Sequence, residues 1–350
     1  MTMEKPLRLG LIGCGGIVQK THARAYHSLS DIVKVSANAD VVEENVEKIG
    51  DEFNIPQEKR YKDYRDMLDK GEIDVVTIAT PHSLHAEQVI EAANAGVAII
   101  SEKPMATSME EADAILEVVN KQNVPYTVVH NYLYNAGMQA AMAELPNIGK
   151  TYYGRSTGMG LRGSDFNANH PNPAFAWRAS KATGGGCVSD SSYHEIYAVC
   201  TLVNSPVRYV EARVLTMRLN IDVDDFAMLM CEHENGAIST VSGAWSVPAQ
   251  EYGWCEVHGE NGSLRVKHRF NVRDAYQKFT GPTGWRPQEL PDLDDEGLID
   301  SSGHAGYFSA TFNALIQNTE LPISPEKAYH NLAIINAARR ATIERRAIEI

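Results

Sequence analysis

Two stretches of this chain hold the residue types that proton and charge chemistry needs. In Ala98-Ile99-Ile100-Ser101-Glu102-Lys103-Pro104-Met105 a short apolar run ends abruptly in an acid, a base and a proline. Pro104 disfavours helical geometry at Lys103, which predicts an extended lysine at the carboxyl end of a buried strand. A lysine whose stem leaves such a strand is partly desolvated, and its ammonium becomes a more tunable donor. The second stretch is Gly184-Gly185-Gly186-Cys187-Val188-Ser189-Asp190-Ser191-Ser192-Tyr193-His194, a little after the pair Trp177-Arg178. Three glycines let a backbone bend tightly against a ligand. Asp190 and His194 are four apart, so on a helix they share a face. A carboxylate beside an imidazole raises its pKa and fixes its tautomer, which makes a proton acceptor near neutral pH.

The elements that must position Lys103 begin with Leu7 to Ile12, a mostly apolar strand followed directly by Gly13-Cys14-Gly15-Gly16-Ile17. Gly13 and Gly15 fit the first two glycines of a dinucleotide loop; the third position is Val18. A helix from about Ile17 to Leu29 would aim its amino end at a pyrophosphate. The next strand, Val33 to Ala37, ends in Asn38-Ala39-Asp40, where an acid holds the adenine ribose hydroxyls. Asn38 is nearest the expected position and Asp40 lies two further on. Residues 39–42 offer no arginine to a 2′-phosphate and Asp40 opposes one, so NAD is expected over NADP.

The alternation continues with a helix at 42–53, a short helix around 64–68 and a strand at 74–80 that Pro81 ends. A helix at 83–95, the strand 97–101, a helix capped by the box Ser108 and Glu111, and a strand at 124–129 complete it. Strands alternating with helices imply a doubly wound parallel sheet. His82 and His85 have no third ligand nearby, so they read as a helix start and a ribose or nicotinamide neighbour, and no metal is expected.

Beyond residue 130 the pattern changes. Strands are expected at 149–157, 207–214, 225–233, 237–245, 252–258 and 263–267, several joined by turns such as Glu234-Asn235-Gly236. This predicts an α+β domain with a mostly antiparallel open sheet and one inserted helix. Residues 273–302 read as loop, and helices at 307–316 and 327–345 close the chain. The expected division is therefore 1–129 and 130–350.

Composition bounds the rest. A chain of 350 residues is too long for one ordinary core. No apolar run is long enough to span a bilayer, and the first residues lack the apolar core of a signal peptide. Five scattered cysteines, never spaced CxxC, argue against a disulfide framework or structural zinc and for a reducing, cytoplasmic setting. A net charge of -13 argues against a nucleic-acid partner.

On these residues the chain resembles the glucose–fructose oxidoreductase / inositol dehydrogenase (Gfo/Idh/MocA) family. The resemblance rests on Gly13-Cys14-Gly15-Gly16-Ile17, Ala79-Thr80-Pro81 with His85, Glu102-Lys103-Pro104, the triple glycine with Asp190 and His194, and Pro322-Ile323-Ser324-Pro325-Glu326. It implies a Rossmann domain and an NAD(P)-dependent oxidoreductase acting on a CH–OH carbon of a sugar, an inositol-like polyol or a sugar derivative such as a lactone. Lys103, Asp190 and His194 would be the catalytic set, with a cis peptide before Pro104. The cofactor would meet Gly13, Gly15, Gly16 and Ile17, then Asn38 and Asp40. It would also meet Thr80, Pro81, His85, Glu102, Lys103 and Asn131. Tyr132, Arg155, Trp177 and Arg178 would join the catalytic set around the substrate. Many members carry an arginine after the residues matching Asn131-Tyr132, where this chain has Leu133-Tyr134. Two other readings belong to the same family: an enzyme that keeps its dinucleotide permanently, for sugar–sugar transfer or glycoside cleavage, and a sugar-sensing regulator. A homodimer or homotetramer is implied, with sheet faces packed together.

Overall fold

The computed structural model of the chain describes residues 6–163, 166–268, 276–279, 281, 284–288, 290 and 302–350. Its first sheet has six parallel strands: β1 (Leu7–Ile12), β2 (Val33–Ala39), β3 (Arg60–Tyr61), β4 (Val75–Ile78), β5 (Ala98–Ser101) and β6 (Tyr126–Val128). Their spatial order, β3-β2-β1-β4-β5-β6, places the reversal of winding between β1 and β4. Ligands of open α/β sheets collect beyond the carboxyl ends of strands at such a point. β4 and β5 are buried along their whole lengths, as an unbroken apolar run predicts for central parallel strands. The connecting helices are α1 (Ala23–Ser28), α2 (Glu43–Glu52), α3 (Tyr64–Lys70), α4 (His85–Asn94) and α5 (Met109–Gln122). The helix expected from Ile17 opens instead with a wider π turn at Val18–His22 before α1. At α5 the Ser108 hydroxyl accepts from Glu111 N at 3.2 Å, while Glu111 Oε2 accepts from Thr107 N at 2.8 Å, one residue further back than a standard capping box.

The second sheet is built from ten strands: β7 (Thr151–Leu161), β8 (Val207–Leu215), β9 (Phe226–His233), β10 (Ile238–Ala244), β11 (Ser246–Tyr252), β12 (Cys255–Gly259), β13 (Gly262–Val266), β14 (Tyr276–Phe279), β15 (Trp285–Pro287) and β16 (Ile348–Glu349). Among the described residues all its pairings are antiparallel except β7 with β10. β11, β14 and β15 were not expected from the sequence, and β14 and β15 fall where a loop was expected; most of 273–302 lies outside the described residues. The helices here are α6 (Ala136–Glu144), α7 (Pro173–Ala176), α8 (Cys187–Asp190) and α9 (Ser192–Val203). α9 lies on one face of the sheet. An added Cβ at Gly154 of β7 would come within 2.7 Å of Val203 and 2.9 Å of Val199. The other face is open: along β9, Ala227, Leu229 and Cys231 are buried while Met228 and Met230 are 49% and 44% exposed.

The chain closes with α10 (His304–Gln317) and α11 (Pro325–Glu344). Two compact units result, Met1–Val129 with His304–Tyr329, and His130–Gly303 with His330–Ile350. The expected assignment of everything after 130 to a second domain therefore differs for 304–329. The reason is the apolar face of α10. Phe308 packs its ring 4.9 Å from Tyr26 of α1, and Tyr307 Oη meets Thr127 Oγ1 of β6 at 2.8 Å. A helical repeat read from sequence shows that a face is apolar, not which core it covers.

Candidate active site

In the first unit the glycine loop leaves β1 through Gly13, whose φ of 88° is the left-handed region. A Cβ there would lie 2.8 Å from the Ala79 carbonyl oxygen, so the loop presses directly on the end of β4. The next turn is braced by Asp40: its Oδ2 accepts from Cys14 N at 2.7 Å and its Oδ1 from Val42 N at 2.8 Å. Beyond Gly15 and Gly16 the space is open, with no atom within 4 Å of an added Cβ at either. Such a cradle fits a pyrophosphate, because backbone N–H groups can approach it without steric hindrance. Ile17 is 39% exposed beside it.

Several residues expected from sequence to meet the cofactor make protein contacts of their own. Asn38 is fully buried, and its Nδ2 donates to the Val46 carbonyl at 2.8 Å, tying β2 to α2. Asn38 faces the covering helix from within β2, whereas Asp40 lies one residue past the end of the strand, free of its alternation, and reaches the loop. His85 is likewise fully buried. Its Nδ1 lies 2.7 Å from the Pro104 carbonyl oxygen and its Nε2 2.9 Å from that of Thr80, which joins the loops after β4 and β5. Carbonyls only accept, so both contacts together need a doubly protonated ring. Burial, the larger effect, opposes that and pushes the imidazole below its usual pKa. Thr80 Oγ1 donates to Gln88 Oε1 at 2.6 Å, next to Pro81.

Glu102 follows β5. Its Oε1 stands 2.9 Å from His22 Nε2 and 3.7 Å from His304 Nε2, and its Oε2 accepts from Lys103 N at 3.2 Å. Burial pushes this carboxyl up, but the two histidines outweigh it and hold it well below the usual carboxylate range. Glu102, expected to meet the cofactor, is ionised and braces the backbone of Lys103. The Lys103–Pro104 peptide is cis.

In the second unit the triple glycine bends against protein rather than against a ligand. Gly185 N donates to Ser180 O at 2.9 Å and Gly186 N to Arg178 O at 3.0 Å. Gly186 has φ 116°, and a Cβ on it would meet Asp224 Oδ1 at 2.6 Å. This tuck brings Arg178 Nε to 3.1 Å from Asp190 Oδ2, with the guanidinium 4.2 Å over the Trp177 ring. Asp190 ends α8, the chain turns at Ser191, and His194 rises from the first turn of α9. Its Nδ1 is 2.9 Å from Tyr197 Oη, which also accepts from Tyr132 N at 3.2 Å. The Tyr132 ring lies 4.5 Å from the imidazole. Burial pushes the Tyr197 hydroxyl well above its usual pKa, so it stays protonated. A hydroxyl has two acceptor lone pairs. It can therefore accept from Tyr132 N–H and from a protonated Nδ1, which leaves Nε2 of His194 as the basic atom. Tyr197 was missed by the sequence reading; its spacing of three after His194 was the available signal.

Two expected residues fall elsewhere. Asn131 is 3% exposed and donates through Nδ2 to the Ser302 carbonyl at 2.5 Å. Arg155, one residue along β7 from Gly154, projects from the face opposite α9. There it makes a paired contact with Glu256 at 2.9 and 3.0 Å. It stands on the other side of the sheet from His194.

Comparison with known proteins points one way. A family model described as an oxidoreductase family with an NAD-binding Rossmann fold matches residues 7–130, and a GFO/IDH/MocA C-terminal domain matches residues 148–265. The chain is 30% identical to a levoglucosan dehydrogenase of Pseudarthrobacter phenanthrenivorans, over 77% of this chain and 75% of that one. It is also 30% identical to a D-apiose dehydrogenase of Paraburkholderia graminis, over 81% and 76%. A solved levoglucosan dehydrogenase in complex with NADH and levoglucosan superposes with a TM-score of 0.85 at 26% identity, covering 98% of this chain and 99% of that one.

Proposed function

The chain belongs to the Gfo/Idh/MocA oxidoreductase family, and on that premise we propose that it is an NAD-dependent dehydrogenase of a neutral sugar or polyol. The observation that carries this reading is His194, held at Nδ1 by Tyr197 and flanked by Tyr132, four residues after the Asp190 that pairs with Arg178. The first unit would hold the dinucleotide with Gly13, Gly15, Gly16 and Ile17, and the second would hold the substrate. Bound NAD supplies the hydride acceptor; the remaining work belongs to side chains. His194 Nε2 takes the proton of the reacting hydroxyl. Lys103 donates to the same oxygen and stabilises its developing charge. Asp190 accepts from a neighbouring substrate hydroxyl. Arg178 spends charge on Asp190, which suits a neutral substrate better than a sugar acid. The activities of the two relatives, on levoglucosan and on D-apiose, support the same class.

Asp40, set against the glycine loop, favours NAD over NADP. Among the described residues no helix is long and apolar enough to cross a membrane, and all five cysteines are free, which supports the cytoplasm. The open sheet face with Met228 and Met230 supports a homodimer or homotetramer. The test is a panel of neutral sugars, anhydrosugars, inositols and sugar acids with NAD or NADP, followed by absorbance of the reduced cofactor. Turnover of a neutral substrate with NAD is expected. Turnover of sugar acids alone would overturn the substrate class, and preference for NADP would overturn the argument from Asp40. A dinucleotide that survives gel filtration without exchanging would favour a permanent-cofactor enzyme.

A further inference from the structure

Within the first unit, three ligand-type atoms converge from segments far apart in sequence. His22 comes from the π turn before α1, Glu102 from the end of β5, and His304 from the first residue of α10. Both imidazoles present Nε2 to the same carboxylate oxygen, at 2.9 and 3.7 Å, and the three donor atoms all lie within 4.8 Å of one another. Four-coordinate zinc with arms of about 2.0–2.1 Å sets neighbouring donors about 3.3–3.4 Å apart, between the two separations found here. Aromatic rings pack against His22. The His22 ring packs edge-on 5.0 Å from Phe308 and 6.0 Å from Tyr26. His22 Nδ1 has no hydrogen-bond partner among the described residues.

We propose that His22, Glu102 and His304 form a binding site for a divalent transition metal, zinc in the first instance, with one coordination position left for water. Two imidazoles and one carboxylate are a borderline donor set that suits zinc or cobalt. One oxygen is too few for calcium or magnesium, which demand mostly oxygen ligands. The three ligands are held by the folded core of one unit, so the site is nearly preformed. Its occupant would bond Oε1 of Glu102, whose Oε2 holds the backbone of Lys103. Metal binding would therefore stiffen the segment that carries Lys103. The proposal does not depend on the dehydrogenase reading.

The full chain, stripped with a chelator and dialysed, is titrated with zinc against a chromophoric competitor, and with cobalt as a visible-absorption probe. One tight equivalent is expected, with cobalt bands of four-coordinate intensity. His304→Ala and Glu102→Gln should each weaken zinc by at least about tenfold, while circular dichroism stays native. Two variants are used so that a folding failure in one leaves the other to decide. Absence of stoichiometric zinc binding, or binding unchanged in a folded variant, would overturn the site.

Discussion

Two glycines two residues apart are expected to separate the folding role of the dinucleotide loop from its binding role. Gly13 combines φ 88° with a would-be Cβ 2.8 Å from the Ala79 carbonyl. Placing an alanine in the left-handed region costs about 1–2 kcal/mol. Overpacking against a backbone atom that cannot move adds about 1–3 kcal/mol. Gly13→Ala should therefore lose about 2–5 kcal/mol of stability. At Gly15 no atom lies within 4 Å of an added Cβ, and the backbone is outside the left-handed region. Gly15→Ala should fold normally, or gain about 0.4–1 kcal/mol by restricting the unfolded chain. Its methyl nevertheless fills the space over which a pyrophosphate must approach. NADH should bind at least tenfold more weakly, about 1.4 kcal/mol. Urea unfolding gives the first quantity and NADH fluorescence titration the second. A Gly15→Ala chain that binds NADH like the unaltered one would refute the cradle. A Gly13→Ala chain of unchanged stability would refute the steric argument.

Other outcomes follow from the same geometry. His194→Ala should lower turnover by about 10²–10⁴-fold without changing NADH affinity, and Tyr197→Phe should lower it less, with native circular dichroism; normal turnover in His194→Ala would displace it as the base. Burial pushes the Glu256 carboxyl up, but His258, Arg155 and Arg265 hold it at about 2. A depressed folded value gives stability that is present above the ordinary carboxylate pKa and lost as pH falls towards 2. Acid unfolding should therefore steepen between about pH 4.3 and 2, and Glu256→Gln should flatten that limb. Burial also pushes the thiols of Cys14 and Cys231 up to about 12, so Ellman's reagent at pH 8 should label neither until the chain is unfolded.

Much of the parallel sheet could be read from sequence because its strands are short apolar runs bounded by glycine and proline, as in β4 before Pro81 and β5 before Pro104. The glycine loop and the Lys103 and His194 stretches stand out in the sequence through the same local spacing. What local spacing does not carry is direction. Asn38 and Asp40 are equally polar and near the same strand end, yet one is buried under α2 and the other braces Cys14. Arg155 looks like a binding residue until the strand's alternation places it with Glu256 on the far face. Tyr197 reads as one more apolar helical residue until its hydroxyl meets His194. Pairing across long separations, as of His304 with Glu102, leaves no periodic trace at all.

The return of residues 304–329 to the first unit also bears on how the chain is made. The aromatic cover of α1, Phe308 with Phe312, is encoded after the whole second sheet except its edge strand β16. A nascent chain that has reached Val129 already holds all six parallel strands, yet Tyr26 still lacks Phe308 and Phe312, which pack on it in the finished fold. Completion waits for the 200 residues from 130 to 329, a delay of about 10–40 s at synthesis rates of about 5–20 residues per second. Throughout that interval the half-built unit exposes apolar surface. The fold thus makes its N-terminal sheet dependent on chain that leaves the ribosome near the end of synthesis, and a fragment cut at 129 would carry the dinucleotide loop on an unfinished core.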